Sequence, residues 1–131
     1  MINNKEYITF DDVLIEPKFS SISSRKDVNL QTKIGSLVLN TPIISANMDT
    51  VFSIDLAKAL FAAGGISVAH RFCSIEENIS IFKTLKAENT NVIISIGLGK
   101  QELERAEALV SLGAGYLCID VAHGAQEAVV N

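Results

Sequence analysis

The chain has 131 residues, of which 48% are hydrophobic and 20% charged, and its formal net charge is −4. This composition is typical of one globular domain with a real core, and it excludes an intrinsically disordered chain. The negative charge argues against nucleic-acid binding and against binding to anionic membranes, and no run approaches the ~20 apolar residues of a membrane span.

Two cysteines, Cys73 and Cys118, have no short paired spacing, so we expect neither a metal site nor a disulfide framework. No basic region precedes an apolar segment, and we therefore expect no signal peptide. A reduced, cytoplasmic location fits both features.

Residues 1–40 are predicted to form an N-terminal extension with short strands, because a proline and a serine-rich turn interrupt its apolar pieces. Within it, "VNLQTKI" alternates between apolar and polar residues, and "GSLVLN" follows at once. These two pieces are predicted to pair as a hairpin.

From residue 41 onwards, predicted strands alternate with predicted helices. Near-continuous apolar runs indicate parallel strands buried on both faces: "TPIISAN", "ISVAH", "NVIISIGLG" and "YLCIDVAHG". Ser53 and Ser74 are predicted helix N-caps, the latter in a capping box with Glu77. Gly64 and Gly113 are predicted to end the first and third helices. The third helix is predicted to bury one apolar face, formed by Leu103, Ala106, Leu109 and Val110, and a fourth helix starts in "AQEAVVN".

Repeated βα units indicate either a (β/α)₈ barrel or an open doubly wound sheet. Each predicted strand ends in a polar or glycine-rich cluster, which favours the barrel, since its C-terminal strand ends meet on one face. "GLGK" lacks the third glycine and the acidic partner of a dinucleotide fingerprint. We therefore predict an α/β fold in which residues 41–131 form the N-terminal half of a (β/α)₈ TIM barrel. Because its edge strands are unpaired, we expect it to aggregate, to dimerise or to need a partner chain that covers them.

The first strand-end cluster is Asn47 to Thr50. Asp49 or Thr50 would cap the next helix in the simpler interpretation. In the functional interpretation, Met48 supplies a soft apolar wall and Asn47 supplies hydrogen bonds to a bound heterocycle. The two interpretations are compatible.

The later strand ends carry charged residues. Arg71 is either an ordinary exposed loop residue or a bidentate ligand for a phosphate or carboxylate. Asp120 is predicted inside an apolar strand, where a buried carboxylate needs a partner such as a sugar hydroxyl or an amide. His123 is predicted to be loop structure or a polar orienting group, because no second ligand lies at a metal-binding spacing.

The N-terminal residues and the two cysteines are further candidate functional groups. Ser23, Ser24 and Arg25 form either a solvated turn or a phosphate clamp that reaches across a subunit boundary. Cys118 is predicted to be a buried, inert thiol. Cys73 precedes a helix start that would lower its pKa, but no triad-like partner accompanies it, so we assign no catalytic residue.

Four stretches of the sequence match a known family: "TFDDVLIEPKFSSISSRKDVNL", "PIISANMDTV", "GGISVAHRF" and "IDVAHG". On these motifs the chain resembles the IMP dehydrogenase / GMP reductase family, and the resemblance covers the N-terminal portion of the family's barrel. Asn47 and the direct passage from the second βα unit to the third, without a large insertion, favour the GMP reductase branch. The alternative is the N-terminal half of an IMP dehydrogenase.

The resemblance implies a reaction, GMP and NADPH giving IMP, ammonia and NADP⁺, with NAD as the cofactor if the chain is dehydrogenase-like. The resemblance also implies which residues of this chain contact the cofactor and which contact the substrate. The cofactor residues would be Ser24, Arg25, Arg71, Asp120, Val121 and Ala122; the purine nucleotide, GMP or IMP, would lie against Asn47 and Met48.

The family's catalytic cysteine lies in a glycine-rich loop that has no counterpart in this sequence. The chain is therefore expected to be inactive alone and to act as a homo-oligomer or with a complementing C-terminal half-barrel chain. A further alternative is a non-catalytic half-barrel that binds nucleotide or co-assembles with a full-length family enzyme.

Overall fold

The structure, a computed structural model, describes residues 6–130. Two 3₁₀ turns precede a hairpin, and the remainder alternates between helices and short strands. The elements are the 3₁₀ turns Phe10–Asp12 and Arg25–Asp27, the strands β1 (Thr32–Ile34), β2 (Leu37–Leu39), β3 (Ser67–Ala69), β4 (Val92–Ile96) and β5 (Leu117–Ile119), and the helices α1 (Ile54–Ala62), α2 (Ile75–Ala87), α3 (Lys100–Ser111) and α4 (Glu127–Val130). Residues 1–5 of the predicted extension and Asn131 of the predicted fourth helix lie outside the described residues.

Residues 6–31 form an exposed segment, the N-terminal segment. Each of its 3₁₀ turns has a capping box, Thr9 with Asp12 and Ser24 with Asp27, so local hydrogen bonds determine its conformation. Its large apolar side chains are nonetheless exposed, by 42% to 97%. Those exposed by 95% or more are Phe10, Leu14, Ile15 and Phe19. Within the described part of the chain, no side chain of this segment is buried.

The predicted hairpin is confirmed. Strands β1 and β2 pair antiparallel, with Thr32 opposite Leu39, and Gly35 takes a φ of +57° in the turn. Leu37 and Leu39 are buried against Ile66, and the half-buried Ile93 and Tyr116 pack on the same cluster. The hairpin therefore covers one end of the main sheet.

The main sheet is parallel, in the order β3-β4-β5. The predicted strand "TPIISAN" forms only an isolated parallel bridge between Ile44 and Ile66, so that strand prediction was too long. The reason lies at Ser45, whose Oγ accepts the N–H of Val68 at 3.1 Å where a ladder would use a backbone carbonyl. Strand β3 is buried throughout, but β5 is half-exposed, and Ile119 is 45% exposed. The prediction that every strand is buried on both faces was therefore wrong for the edge strand β5.

The helix caps follow the predictions. Ser53 accepts the N–H of Leu56 at the start of α1, and Ser74 forms the capping box with Glu77 at the start of α2. Gly64 and Gly113 follow α1 and α3 with φ values of +88° and +92°.

The helices cover one face of the sheet with a continuous apolar core. Its buried members are Ala57, Ala69, Phe82, Leu85, Val92, Ile94 and Leu109. The predicted buried face of α3 was partly wrong, because Leu103 and Val110 are 60% and 55% exposed while Arg105 is buried. Arg105 lies one turn before Leu109 and shares its face, where hydrogen bonds compensate for its charge. No helix in residues 6–130 is long and apolar enough to cross a membrane.

Candidate functional site

The strand ends bring the predicted polar residues together. Arg71 lies two residues after β3, Gly97 follows β4 directly, and Asp120 follows β5 directly. The Asp120 N–H donates to the carbonyl of Ile96 at 2.8 Å, so the backbone fixes Asp120 beside the end of β4. We call this group of residues at the carboxyl ends of the strands, with Asn47, the strand-end cluster.

Arg71 and Asp120 form an ion pair across the end of β4. Arg71 Nε lies 3.3 Å from Asp120 Oδ2, and the two side chains are 31% and 27% exposed. The N–H is not aligned for a hydrogen bond, and it has no other partner among the described residues. Because Nε itself is buried, hydrogen-bonding capacity for a ligand remains only on the exposed parts of the two side chains.

One aromatic ring lies against the guanidinium group of Arg71, and two further rings pack on one another beside it. The central carbon of the guanidinium lies 5.2 Å from the centroid of Phe72, a cation–π arrangement. His70 stacks on Phe72 at 6.3 Å and meets Phe52 edge-on at 6.2 Å. Below, Gly97 makes room for the arginine, because a Cβ there would lie 3.1 Å from Arg71 Nη1. Ring and strand end together restrict the orientation of Arg71.

Asn47 reaches the same edge from the first strand position. Its Nδ2 donates to Oγ of Ser95, a fully buried residue of β4, at 3.4 Å. Met48 is 51% exposed beside it. The carbonyl of Met48 accepts the N–H groups of Val51 and Phe52, which closes a tight turn.

Two predictions about these strand ends need correction. Asp49 and Thr50 do not cap α1, because the turn at Met48 separates them from it and Ser53 occupies the cap position. Asp120 is not inside a strand, since β5 ends at Ile119, and the carboxylate is partly exposed rather than buried. The predicted partner of this carboxylate was a sugar hydroxyl or an amide, whereas in the structure its side chain pairs with Arg71.

The remaining predicted cofactor residues divide into two groups. Val121 is half-buried and Ala122 exposed, both directly after Asp120, and His123 is exposed in the turn that follows. Ser24 and Arg25 lie in the N-terminal segment, where Ser24 caps the 3₁₀ turn that Arg25 begins. Between residues 6 and 130 no hydrogen bond or ion pair joins Ser24 or Arg25 to the strand-end cluster.

Cys73 does not supply an activated thiol. Burial raises the pKa of the Cys73 thiol, and this outweighs the opposite effect of Arg105, so the predicted lowering by the following helix was wrong. Cys118 is half-buried in β5 rather than fully buried. Among the described residues no group of three or more His, Cys, Asp and Glu side chains could hold a metal ion.

The prediction from sequence missed a buried polar network beneath the cluster. Arg105 donates to the carbonyls of Cys73 and Ser74 and to Oδ1 of Asn78, and it pairs with Glu102 at 3.3 Å. The i,i+3 spacing of Glu102 and Arg105, with Arg105 one turn from Leu109, was the available signal.

The arrangement suits recognition more than covalent chemistry. A guanidinium, a partly exposed carboxylate and an amide offer both donors and acceptors, and Phe72 and Met48 offer exposed apolar surface. Such a set can hold a planar heterocycle that bears hydroxyl and phosphate groups.

Comparisons with known proteins identify a family and several relatives of this chain. Residues 7–131 match the model of the IMP dehydrogenase / GMP reductase domain. The inosine-5'-monophosphate dehydrogenase of Nitrosopumilus maritimus is 43% identical over 91 residues, which are 69% of this chain and 19% of that protein. The GMP reductase of Salmonella typhi is 35% identical over 126 residues, covering 90% of this chain and 36% of that protein.

A solved structure shares the fold. The crystal structure of inosine 5' monophosphate dehydrogenase from Legionella pneumophila is 44% identical, with a TM-score of 0.84, over 93% of this chain and 38% of that one. The chain therefore spans less than two fifths of the length of each of these relatives.

Proposed function

The chain belongs to the IMP dehydrogenase / GMP reductase family, and on that premise we propose that it forms the cofactor-binding part of a GMP reductase-like oxidoreductase. The complete reaction would convert GMP and NADPH into IMP, ammonia and NADP⁺. The proposed architecture is the N-terminal half of a (β/α)₈ barrel, to which residues 41–131 contribute four βα units after the extension 1–40. The chain covers 36% of a GMP reductase relative, so we assign it one part of the site.

The observation that carries the proposal is the meeting of Asn47, Arg71 and Asp120 at one edge of the sheet. Asn47 is joined to Ser95 of β4, and the Arg71–Asp120 pair crosses the end of the same strand. In parallel α/β folds, ligands bind at the carboxyl ends of the strands.

The groups that remain accessible fit a nicotinamide nucleotide. The Asp120 carboxylate would accept hydrogen bonds from ribose hydroxyls, and Arg71 would donate to a phosphate or amide oxygen. Val121 and Ala122 would lie along the nicotinamide nucleotide. Ser24 and Arg25 would contact the cofactor of a neighbouring subunit, since they lie in an exposed segment without contacts to the cluster of their own chain.

The purine nucleotide, GMP or IMP, would lie on the Asn47 side. Met48 would place its thioether against the purine ring, and Asn47 would donate or accept at the ring edge. NADPH, when bound, supplies the hydride. The residues of this chain would orient the two ligands and shield them from water.

We propose that residues 1–131 alone do not catalyse the reduction of GMP. Neither cysteine suits nucleophilic attack, because burial raises the pKa of Cys73 and Cys118 lies within β5. The direct measurement is GMP-dependent oxidation of NADPH by the purified chain. A rate at ordinary enzyme concentration would contradict this part of the proposal.

A chimera tests the function itself. Residues 7–130 would replace the matching part of the Salmonella typhi GMP reductase, and the product would be assayed for NADPH oxidation with GMP. We expect GMP reduction, and we expect Asp120→Asn to raise the KM for NADPH in this chimera. A folded chimera without this activity would overturn the proposal.

An IMP dehydrogenase half is the second candidate. It is favoured by the 43% and 44% identities to two IMP dehydrogenases. Oxidation of IMP with NAD⁺ by a chimera built into a dehydrogenase, together with no GMP reduction in the reductase chimera, would select it.

Exposed apolar surface supports a third candidate, a non-catalytic half-barrel that binds nucleotide or co-assembles with a full-length family enzyme. The N-terminal segment exposes Phe10, Leu14 and Phe19, and the edge strand β5 exposes Ile119. A homo-oligomer or a complementing C-terminal half-barrel would cover such surface. A stable monomer that fails to bind any family member would exclude this candidate.

A further inference from the structure

We infer that Arg105, Glu102 and Asn78 are positioning residues, which hold the loop after β3 and the end of β4 so that Arg71 meets Asp120. The inference rests on the proposed function only in that it takes the Arg71–Asp120 pair as a cofactor contact. The network itself is argued from contacts within α2, α3 and the two loops.

The first step is the burial of a charge. Arg105 is 4% exposed, and a guanidinium removed from water is costly unless it is paired and its N–H groups are satisfied. Its Nε pairs with the Glu102 carboxylate at 3.3 Å, and the Glu102 side chain is itself only 14% exposed. The pair is thus shielded from the solvent screening that weakens surface ion pairs.

The second step concerns where the other donors of Arg105 point. Its Nη2 donates to the carbonyl of Cys73 at 3.0 Å and its Nη1 to the carbonyl of Ser74 at 3.3 Å, with Oδ1 of Asn78 as a further acceptor. Two of these acceptors are backbone groups of the loop between β3 and α2. Arg105 therefore does more than pack α3 against α2, because its hydrogen bonds also fix the backbone of that loop.

Asn78 extends the hold to the other end of this loop. It is fully buried, and its Nδ2 donates to the carbonyl of His70 at 3.1 Å. Arg105 and Asn78 together therefore fix the backbone at His70, Cys73 and Ser74, on both sides of Arg71.

The third step links the network to β4. Glu102 Oε2 accepts the N–H of Gly97 at 2.6 Å, a charge-assisted bond at the end of that strand. Arg71 lies directly over Gly97, since a Cβ there would come within 3.1 Å of Arg71 Nη1 and 3.2 Å of Glu102 Cγ. One carboxylate thus ties Arg105 to the surface on which Arg71 rests.

The experiment follows Arg71 by NMR in the ¹⁵N-labelled 131-residue chain. The Arg71→Lys variant assigns the Arg71 Nε–H signal, and Asp120→Asn gives its position without the ion pair. We expect Glu102→Gln to move this signal towards the Asp120→Asn position and to move the Gly97 amide proton upfield. The matched control is Glu107→Gln, the same change at an exposed position of α3, which should leave both signals in place.

A second variant keeps the inference testable if Glu102→Gln does not fold. Asn78→Asp retains the acceptor for Arg105 but removes the donor to the His70 carbonyl, and it should also shift the Arg71 signal. If either variant lowers the melting temperature while the Arg71 signal stays unchanged, the network is merely structural and the inference is overturned.

A separate titration distinguishes this inference from the proposed function. The dissociation constant for NADPH should rise about tenfold in Glu102→Gln, comparable to the loss of one charged hydrogen bond, and stay unchanged in Glu107→Gln. If the Arg71 signal shifts as expected but the unmodified chain binds neither NADPH nor NADH, positioning holds and the proposed function fails. If NADPH binds equally to both variants, Arg105 and Glu102 do not set the cofactor contact.

Discussion

Arg71 and Asp120 meet across a strand to which neither belongs. Arg71 follows β3 and Asp120 follows β5, yet their side chains approach to 3.3 Å over the end of β4. Two properties make this contact possible. The parallel register places the three strand ends at one edge, and Gly97, without a side chain, leaves the space above β4 free.

Removing this ion pair should change stability little. Both side chains are about a third exposed, and pairs at such positions typically contribute about 0–1 kcal/mol. We expect Asp120→Asn to lower the free energy of unfolding by less than about 1 kcal/mol, measured by urea denaturation. Glu88→Gln removes the Lys58–Glu88 pair away from the strand ends and is the matched control. A much larger loss for Asp120→Asn alone would mean that the pair holds the fold together.

Truncating a leucine in the core should lower the free energy of unfolding far more than truncating a leucine in the N-terminal segment. Leu85 is fully buried among α2, β4 and their neighbours, whereas Leu14 is 97% exposed. We expect Leu85→Ala to cost about 2–5 kcal/mol of unfolding free energy, and Leu14→Ala to stay within about 0.5 kcal/mol. A concentration-dependent loss of stability in Leu14→Ala would show instead that a second chain covers this segment.

The capping box of α2 should contribute measurably to stability. Ser74 accepts the N–H of Glu77 at 3.1 Å, and Glu77 accepts the N–H of Ser74 at 2.8 Å. Ser74→Ala should cost about 1 kcal/mol, because one N-terminal N–H loses its partner. The backbone carbonyl that Arg105 uses is retained in this variant. Ser80→Ala, at an exposed position inside the same helix, should be neutral or slightly stabilising.

The thiol of Cys73 should titrate above the ordinary range. Burial is the largest influence and raises its pKa above the usual 9.0. Alkylation by iodoacetamide, followed by peptide mass spectrometry to separate Cys73 from Cys118, should show a midpoint above 9.0 in the folded chain. The same thiol in urea should titrate at lower pH. A folded-state midpoint below that of the unfolded chain would contradict the assignment.

The sign of the linked stability follows from the same shift. The folded state favours the protonated thiol, so this contribution is fully present below the unfolded-state pKa. It is lost as the pH rises from there through the raised pKa of Cys73.

Features that depend on nearby residues were predictable from sequence. The hairpin, the caps at Ser53 and Ser74 and the glycine stops at Gly64 and Gly113 all depend on hydrogen bonds or dihedral angles within a few residues. The convergence of Asn47, Arg71 and Asp120 was also predictable, because parallel strands have their carboxyl ends at one edge.

Features that depend on residues distant in the sequence were not predictable. The burial of Arg105 depends on carbonyls about thirty residues away, which helical periodicity cannot indicate. The first strand was shortened because Ser45 Oγ accepts the N–H of Val68 in β3. At Cys73, burial raises the pKa and outweighs the opposite effect of Arg105, although a helix start follows. In each case tertiary surroundings decided between two local tendencies.

The hairpin covers one end of the main sheet with a small apolar cluster. Leu37 and Leu39 pack on Ile66 directly before β3, at the opposite end of that strand from Arg71. The strand-end cluster and this apolar cluster therefore lie at opposite ends of the sheet. A substitution that loosens the hairpin would let water reach the buried Leu37, Leu39 and Ile66 without changing any residue of the strand-end cluster.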